Sequence, residues 1–358
     1  DGGAIMILNG AEPVIEQNYF YDNATECGRG GAVAIDLRGS PKLNRNVFAN
    51  NIAGLHDPTR SSDGGAGSFF DWAGGEFIGN VIVANEAFAN NDAGGVFIAM
   101  WAEPIVADNI FVANVSGDDA GGLFIGGQEH RYDAPLDEYP SAKDFNVKVE
   151  NNIFVGNVNS SSNSGAMRIT MESRVHFKGN LIAENKGGFY LQRSEMTVEN
   201  NTIWQDWMFL EDKPSLGPSV FKGNILKGPA GDVEARVSFE RNMMESTVPG
   251  SGTIPVKDVF VDDSLSGEIV STRFDYANNT TIFETKKALP RKGDLVNRCV
   301  RISQDHDGGQ WRVVKSAKGN QLVIWGHLRA STSTMEAFDI LRTFTLRSDA
   351  PKGVGAGS

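Results

Sequence analysis

The sequence predicts an all-β protein: a right-handed parallel β-helix of about nine coils, with a small antiparallel β-barrel or sandwich inserted before the final coil. Three observations predict this fold. A short pattern that begins with asparagine recurs nine times, a glycine-led segment precedes most of its copies, and both patterns disappear near the C-terminus. The expected division is 1–261 for the β-helix, 262–342 for the inserted domain and 343–358 for the closing coil.

The asparagine pattern consists of Asn, a mostly apolar pair and a polar residue five positions after the start. Successive copies begin 18 to 43 residues apart, which disfavours β-propellers and leucine-rich repeats because those folds need a steadier period. A β-helix tolerates such variation, since insertions bulge out between its strands. Stacked asparagines can hydrogen-bond to one another and to the backbone, so we expect an asparagine ladder. The copies start at Asn18, Asn46, Asn80, Asn109, Asn152, Asn180, Asn201, Asn224 and Asn242.

The glycine-led segment alternates inward and outward side chains, as expected of a strand with one buried face. Aligning its copies places two columns of apolar residues towards the core, and Gly67 interrupts the first of them. The first column holds Ile5, Val33, Val96, Leu123, Met167 and Phe189; the second holds Ile35, Phe69, Ile98, Ile125, Ile169 and Leu191.

Between 262 and 342 the repeat is replaced by short alternating segments joined by polar turns. A Lys-Gly-Asn sequence at 318–320 predicts a hairpin within this stretch. Five or six strands of this kind indicate a small antiparallel barrel or sandwich, which could cap the β-helix, bind a glycan or contact a neighbour.

Composition restricts the class of partner. The net charge of -12 disfavours nucleic acid and anionic lipid as partners. The sequence contains no run of 18 apolar residues, so no membrane span is predicted. Cys27 and Cys299 fit neither a disulfide framework nor a metal site, because they are only two and far apart. The chain opens inside a repeat, so we expect another segment or subunit to cover the end of the first coil.

The position before the glycine pair holds an aspartate on three successive coils, Asp63, Asp92 and Asp119. Adjacent coils lie about 4.8 Å apart, and stacking three like charges is costly unless a cation binds, an arginine intervenes or a proton is retained. Three interpretations are open: the aspartates cap turns, they bind Ca²⁺, or two of them perform acid–base catalysis. On other coils the same position holds Asp1, Arg29, Asn163 and Asn185.

Outward positions of the glycine-led segments carry aromatic side chains on adjacent coils. An exposed aromatic stripe is typical of a binding surface, and flanking charges would suit stacking on sugar rings. The alternative is that the long insertion after Gly127 folds over the stripe. The candidate substrate-binding residues are Asp36, Arg38, Phe70, Trp72, Phe97, Trp101 and Tyr190. The additional catalytic candidates are Arg168, Glu172 and, within the insertion, His130, although a lone histidine is more often structural than catalytic.

The asparagine-led coils and the tail that begins at Phe344 resemble the pectin-lyase-like superfamily of right-handed parallel β-helix proteins, over about three-quarters of the chain. The resemblance implies secreted proteins that bind polysaccharides along one strand face. Lyases of this kind use an Arg or Lys base, often with Ca²⁺, and hydrolases use Asp carboxylates. Other members are tailspikes, adhesins and autotransporter passengers, so the fold does not settle the function.

Together these features favour a secreted or cell-surface enzyme that cleaves an oligo- or polysaccharide. A glycoside hydrolase is preferred over a lyase, because the negative net charge disfavours a polyanionic substrate; a pair among the three aspartates would then act as acid and base or nucleophile. In a lyase, Arg168 or His130 would abstract the proton α to a uronate carboxylate while the acidic column held a metal. The alternative is a non-catalytic adhesin or tailspike-like scaffold that binds glycans.

Overall fold

The computed structural model is nearly all β and forms two compact units, Asp1–Asp258 with Pro351–Ser358, and Val259–Ala350. Both predicted architectures are confirmed: parallel sheets build the first unit, and an antiparallel barrel builds the second. The structure describes residues 1–55, 62–127, 146–161, 164–171, 173–192, 194–205, 209–211, 219–227, 237–245, 254–290, 294–304, 307–328 and 335–351.

The first unit is a parallel β-helix in which each of the first five coils contributes one strand to each of four sheets. The strands are short because the chain turns a corner after each of them. They are β1 (Ile5–Ile7), β2 (Val14–Glu16), β3 (Tyr19–Tyr21), β4 (Ala24–Thr25), β5 (Val33–Ile35), β6 (Lys42–Asn44), β7 (Val47–Ala49), β8 (Ile52–Ala53), β9 (Gly67–Phe69), β10 (Glu76–Ile78), β11 (Val81–Val83), β12 (Glu86–Ala87), β13 (Val96–Ile98), β14 (Ile105–Ala107), β15 (Ile110–Val112), β16 (Val115–Ser116), β17 (Leu123–Gly126), β18 (Val147–Glu150), β19 (Ile153–Val155) and β20 (Val158–Asn159).

The later coils contribute strands to three sheets within the described residues. They are β21 (Met167–Thr170), β22 (Arg174–Lys178), β23 (Leu181–Ala183), β24 (Phe189–Gln192), β25 (Glu195–Glu199), β26 (Thr202–Trp204), β27 (Phe209–Glu211), β28 (Ser219–Lys222), β29 (Ile225–Leu226), β30 (Val237–Glu240), β31 (Met243–Met244) and β32 (Ile254–Pro255). Sheet 1 runs β1-β5-β9-β13-β17-β21-β24-β27, sheet 2 β2-β6-β10-β14-β18-β22-β25-β28-β30, sheet 3 β3-β7-β11-β15-β19-β23-β26-β29-β31-β32 and sheet 4 β4-β8-β12-β16-β20.

Both inward columns predicted for sheet 1 are confirmed by the strand register. Gly67 pairs with Val33 on one side and with Val96 on the other, so it interrupts the first column as expected. Inside the solenoid, phenylalanine rings from sheets 2 and 3 form a continuous stack with centroid separations of 4.7 to 6.5 Å. This stack of six rings contains Phe20, Phe48, Phe77, Phe111, Phe154 and Phe177.

The predicted asparagine ladder is present over all nine copies. Each side-chain amide from Asn18 to Asn224 donates to the Oδ1 of the asparagine on the next coil, over 2.9 to 3.3 Å. That same Oδ1 also accepts the backbone N–H of the preceding asparagine, as between Asn46 and Asn80. The corner therefore satisfies buried backbone groups that the strands leave unpaired.

A second ladder, which we did not predict, starts five residues after the first. It links the closing polar residues of the repeat, and Gln205 takes the place of asparagine at its far end. Asn185 belongs to this ladder, since its amide donates to Gln205 and its Oδ1 accepts from Asn157; its predicted place in the aspartate column is therefore wrong. The members are Asn23, Asn51, Asn85, Asn114, Asn157, Asn185 and Gln205.

Glycine pairs before sheet 1 allow neighbouring coils to approach closely. A Cβ placed on Gly65 would lie 2.4 Å from the backbone oxygen of Gly94 and 2.6 Å from the backbone nitrogen of Glu86. We expect Gly65→Ala to lower the free energy of unfolding by about 2–4 kcal/mol in urea denaturation, because backbone atoms cannot move aside. Gly74→Ala is the matched control, since its Cβ would meet only the Ser40 hydroxyl at 3.7 Å; equal losses in both variants would contradict the close-approach argument.

The second unit is a closed six-stranded antiparallel barrel in the order β33-β34-β37-β36-β35-β38. Lys318 pairs with Gln321, which confirms the predicted hairpin. Phe283, Val300 and Leu322 are fully buried in its core. The strands are β33 (Leu265–Asp275), β34 (Thr280–Thr285), β35 (Cys299–Gln304), β36 (Asp307–Lys318), β37 (Gln321–Trp325) and β38 (Met335–Ile340), with one 3₁₀ turn at Tyr276–Asn278.

The expected role of 343–358 as the closing coil of the β-helix stays a prediction. Within the second unit, Thr345 and Arg347 hydrogen-bond to the backbone of Val261 and Val259, and Phe344 packs against Phe260. Residues 352–358 lie outside the described residues.

Two expectations drawn from composition also have structural counterparts. Both cysteines are free thiols: Cys27 is exposed, whereas burial in the barrel raises the pKa of the Cys299 thiol to about 12. In the part of the chain that the structure describes, no helix has the length and hydropathy that a membrane span requires.

Candidate functional site

The predicted aspartate column lies at the corner that leads into sheet 1. Asp63, Asp92 and Asp119 occupy this corner on coils 3, 4 and 5, and the residue after each adopts a left-handed backbone conformation. Those following residues have φ angles of 79° at Gly64, 59° at Ala93 and 58° at Ala120. The sharp turn aligns the three carboxylates along the solenoid axis.

The carboxylates cap the turns of neighbouring coils. The backbone N–H of Asp92 donates to Oδ1 of Asp63, and the N–H of Asp119 donates to Oδ1 of Asp92, each over 3.0 Å. At the start of the column, the N–H of Arg29 donates in the same way to Oδ1 of Asp1. The turn-capping interpretation is therefore confirmed for Asp63 and Asp92, although a capping carboxylate can still titrate.

Two arginines hold the outer members of the column. Nη1 of Arg168 donates to Oδ1 of Asp119 over 2.5 Å, and Nε of Arg29 lies 3.9 Å from Oδ2 of Asp63. Asp92 lies between these pairs, and among the described residues no basic side chain pairs with it. Along the column, the order is thus arginine, three aspartates and arginine.

Burial and the flanking charges of Asp63 and Asp119 raise the pKa of Asp92 to about 8. At neutral pH the middle carboxyl group therefore keeps its proton. Of the three ways in which the sequence allowed this stack to be stabilised, the raised pKa of Asp92 supports the retained proton, whereas the two arginines flank the stack and pair with its outer members.

A cation could be held at one end of the column. Single carboxylate oxygens of Asp92, Asp118 and Asp119 lie within 4.8 Å of one another, whereas Asp63 is not part of this group. Carboxylate oxygens are the ligands that Ca²⁺ prefers. The Ca²⁺ interpretation thus stays a prediction, with Asp118 as a ligand that the sequence comparison missed because it lies one residue before the column.

The predicted aromatic stripe faces outward from sheet 1 but is largely covered. Phe70, Phe97 and Trp101 are only 9%, 6% and 4% exposed and form a second apolar cluster with Phe124. The expectation that these three side chains are exposed is therefore wrong, because they pack on one another along the axis. The insertion offered as their cover, 128–145, lies outside the described residues, as do His130 and Glu172.

Arg168 is the centre of a polar network on the outer face of sheet 1. Besides Asp119, it donates through Nη2 to Oε1 of Gln192 over 2.8 Å, and its guanidinium lies 4.6 Å from the ring centroid of Tyr190. Thr170 donates to the same Gln192 oxygen. These contacts fix the position of the Arg168 side chain. A fixed, paired guanidinium is better suited to holding a carboxylate than to abstracting a proton.

Trp72, the member of the aromatic stripe that stays accessible, lines a cleft at the opposite corner of sheet 1. Trp72 is half-buried, stacks on Trp101 with ring centroids 5.3 Å apart, and has the guanidinium of Arg38 5.8 Å from its ring centroid. The cleft has a volume of about 510 Å³. Its lining residues are Asn9, Gly10, Leu37, Arg38, Asp71 and Trp72.

The structure thus separates the predicted site residues into two groups at opposite corners of sheet 1. Asp63, Asp92, Asp119 and Arg168 belong to the acidic column, and Arg38 and Trp72 belong to the cleft. A substrate-binding role for Asp36 and Tyr190, which the sequence also predicted, stays a prediction. No family model, no curated protein and no solved structure matches this chain.

Proposed function

We propose that this chain is a secreted or cell-surface glycoside hydrolase that cleaves an oligo- or polysaccharide, on the scaffold of a pectin-lyase-like β-helix. One observation carries the proposal: three stacked aspartates lie between two arginines, and burial together with the outer two members raises the pKa of the middle one, Asp92, to about 8. A pair of carboxyl groups whose pKa values are driven apart by their surroundings is the arrangement that general acid catalysis at neutral pH requires.

In this proposal Asp92 is the general acid. Its proton passes to the glycosidic oxygen as the bond from that oxygen to the anomeric carbon breaks. Asp119, which pairs with Arg168, forms a bond to the anomeric carbon. Water later attacks that carbon and gives its proton to the Asp92 carboxylate, while the bond between Asp119 and the carbon breaks and the sugar leaves. The oxygen separation of at most 4.8 Å is close to the roughly 5–5.5 Å of retaining enzymes, so retention of configuration is expected.

The test is incubation of the protein with a panel of oligo- and polysaccharides, with products read by mass and by the absorbance of unsaturated uronates. We expect saturated products from the wild-type chain and a loss of at least 100-fold in rate for Asp92→Asn, because the amide cannot deliver a proton. The matched control is Asp108→Asn, which replaces an exposed aspartate on the same unit. Unsaturated products would favour a lyase instead.

A non-catalytic glycan-binding scaffold is the second candidate. It is favoured by the use of Asp63 and Asp92 as turn caps, and by the burial of Phe97 and Trp101. In that case no glycan yields a product, and Asp92→Asn changes stability without changing glycan binding.

A further inference from the structure

The cleft beside Trp72 is formed by one corner repeated on successive coils. After each strand of sheet 1, two residues in a row adopt left-handed backbone conformations, with φ between 48° and 72° on coils 1 to 4. Backbone hydrogen bonds join these corners, as from the N–H of Arg38 to the carbonyl of Asp71. The pairs are Asn9-Gly10, Leu37-Arg38, Asp71-Trp72 and Met100-Trp101.

These corners place large side chains where glycine or asparagine is usual. Left-handed conformations are unfavourable for residues such as Leu37, Arg38 and Trp72, and such strain concentrates at functional positions. The second residue of the corner is Gly10 on coil 1, and a Cβ there would meet no atom closer than 4.0 Å. The missing side chain leaves the space that becomes the cleft.

Part of the half-buried Trp72 side chain lines the cleft. One face of its ring is covered by Trp101, which is itself only 4% exposed. The Arg38 guanidinium lies 5.8 Å from the Trp72 centroid, whereas that of Arg29 lies 3.6 Å from Phe70. Arg38 is therefore not packed tightly onto the indole.

Charges around the cleft select against an acidic ligand. Arg38 contributes one positive charge, while Asp71 in the lining and Asp36 two residues before Arg38 contribute two negative charges. Guanidinium donors and carboxylate acceptors together suit hydroxyl groups, which both donate and accept. A volume of about 510 Å³ lies within the range of roughly 300–1,000 Å³ that small-molecule sites occupy.

We propose that this cleft is a binding subsite for a neutral pyranose residue, which packs against the part of Trp72 that lines the cleft and hydrogen-bonds to Arg38 and Asp71. The proposal rests on the carbohydrate specificity proposed above, but it does not depend on catalysis, because the acidic column lies at the other corner of sheet 1. Such a remote subsite would anchor one end of a longer glycan.

Isothermal titration calorimetry of the full chain with cellohexaose, mannohexaose and xylohexaose tests this proposal, with hexagalacturonate as the acidic probe. We expect at least one neutral hexasaccharide to bind saturably, and at least ten-fold more tightly than hexagalacturonate. Trp72→Ala should weaken this binding at least ten-fold. Tyr276→Ala, which removes a 73% exposed ring from the barrel, should leave it unchanged.

Gly10→Trp gives a second variant that does not depend on removing a packed side chain. It should fill the cleft and abolish binding while the chain stays folded, because Arg38 and Trp72 already occupy the equivalent left-handed position. Neutral binding that survives both variants, binding of hexagalacturonate alone, or no binding by the wild-type chain would each overturn the proposal. Neutral binding without any cleavage would support the subsite and overturn only the hydrolase proposal.

Discussion

Asn109→Ala should lower the free energy of unfolding by about 3–5 kcal/mol, because it leaves several buried polar groups without partners. Oδ1 of Asn109 accepts from both the backbone N–H and the side-chain amide of Asn80. Its own amide donates to the carbonyl of Phe77 and to Oδ1 of Asn152. The loss is measured by urea denaturation followed by circular dichroism.

Asn18→Ala is the matched control within the same ladder. Asn18 is exposed on the first coil, and its amide donates to Glu16 and Asn46. Water can replace these bonds, so we expect a loss of at most about 1 kcal/mol. Similar losses at Asn18 and Asn109 would contradict the conclusion that the buried ladder stabilises the stack of coils.

Asp92→Asn should change how stability depends on pH. The folded pKa of Asp92 is about 8, and the pKa of an unfolded aspartate is about 3.9, so between these values the native state holds a proton that the unfolded chain has released. Its stabilising contribution is complete below about pH 4 and is lost as pH rises towards 8, a change on the order of 2–5 kcal/mol. The asparagine variant has no such proton to lose.

The measurement is the difference in free energy of unfolding between wild type and Asp92→Asn from pH 4 to pH 9. We expect the wild-type stability to fall relative to the variant across this range and to level off above pH 8. Asp108→Asn, at an exposed position, should follow the wild-type curve. A constant difference between wild type and Asp92→Asn would show that the native state retains no proton at this position.

The repeat could be predicted from the sequence because nine asparagines mark one corner of the coils. The register of sheet 1 could be predicted because glycine pairs precede its strands. The second ladder had a visible signal at the fifth position of the same repeat, but aligning on glycine assigned Asn185 to the wrong column. Sheets 2 and 4 were harder to predict, since strands of two to five residues without a marker residue leave little periodicity to recognise.

The candidate site could be predicted only in part, because its chemistry depends on contacts between coils. The aspartate column was evident from alignment, yet the pairing of Arg168 with Asp119 joins residues 49 positions apart. Burial of Phe97 and Trp101 is likewise a property of what packs on the outer face of the sheet, and alternation alone reports only which face a side chain takes.

The central claim, that the acidic column hydrolyses a glycan, is tested most directly by cleavage in water enriched in ¹⁸O. Wild-type protein and Asp92→Asn are incubated in parallel with the same glycan panel, and the products are weighed. Hydrolysis predicts one ¹⁸O atom in each new reducing end from the wild-type chain and almost none from the variant. Products without the label, equal labelling by both proteins, or no product from any glycan would contradict the claim.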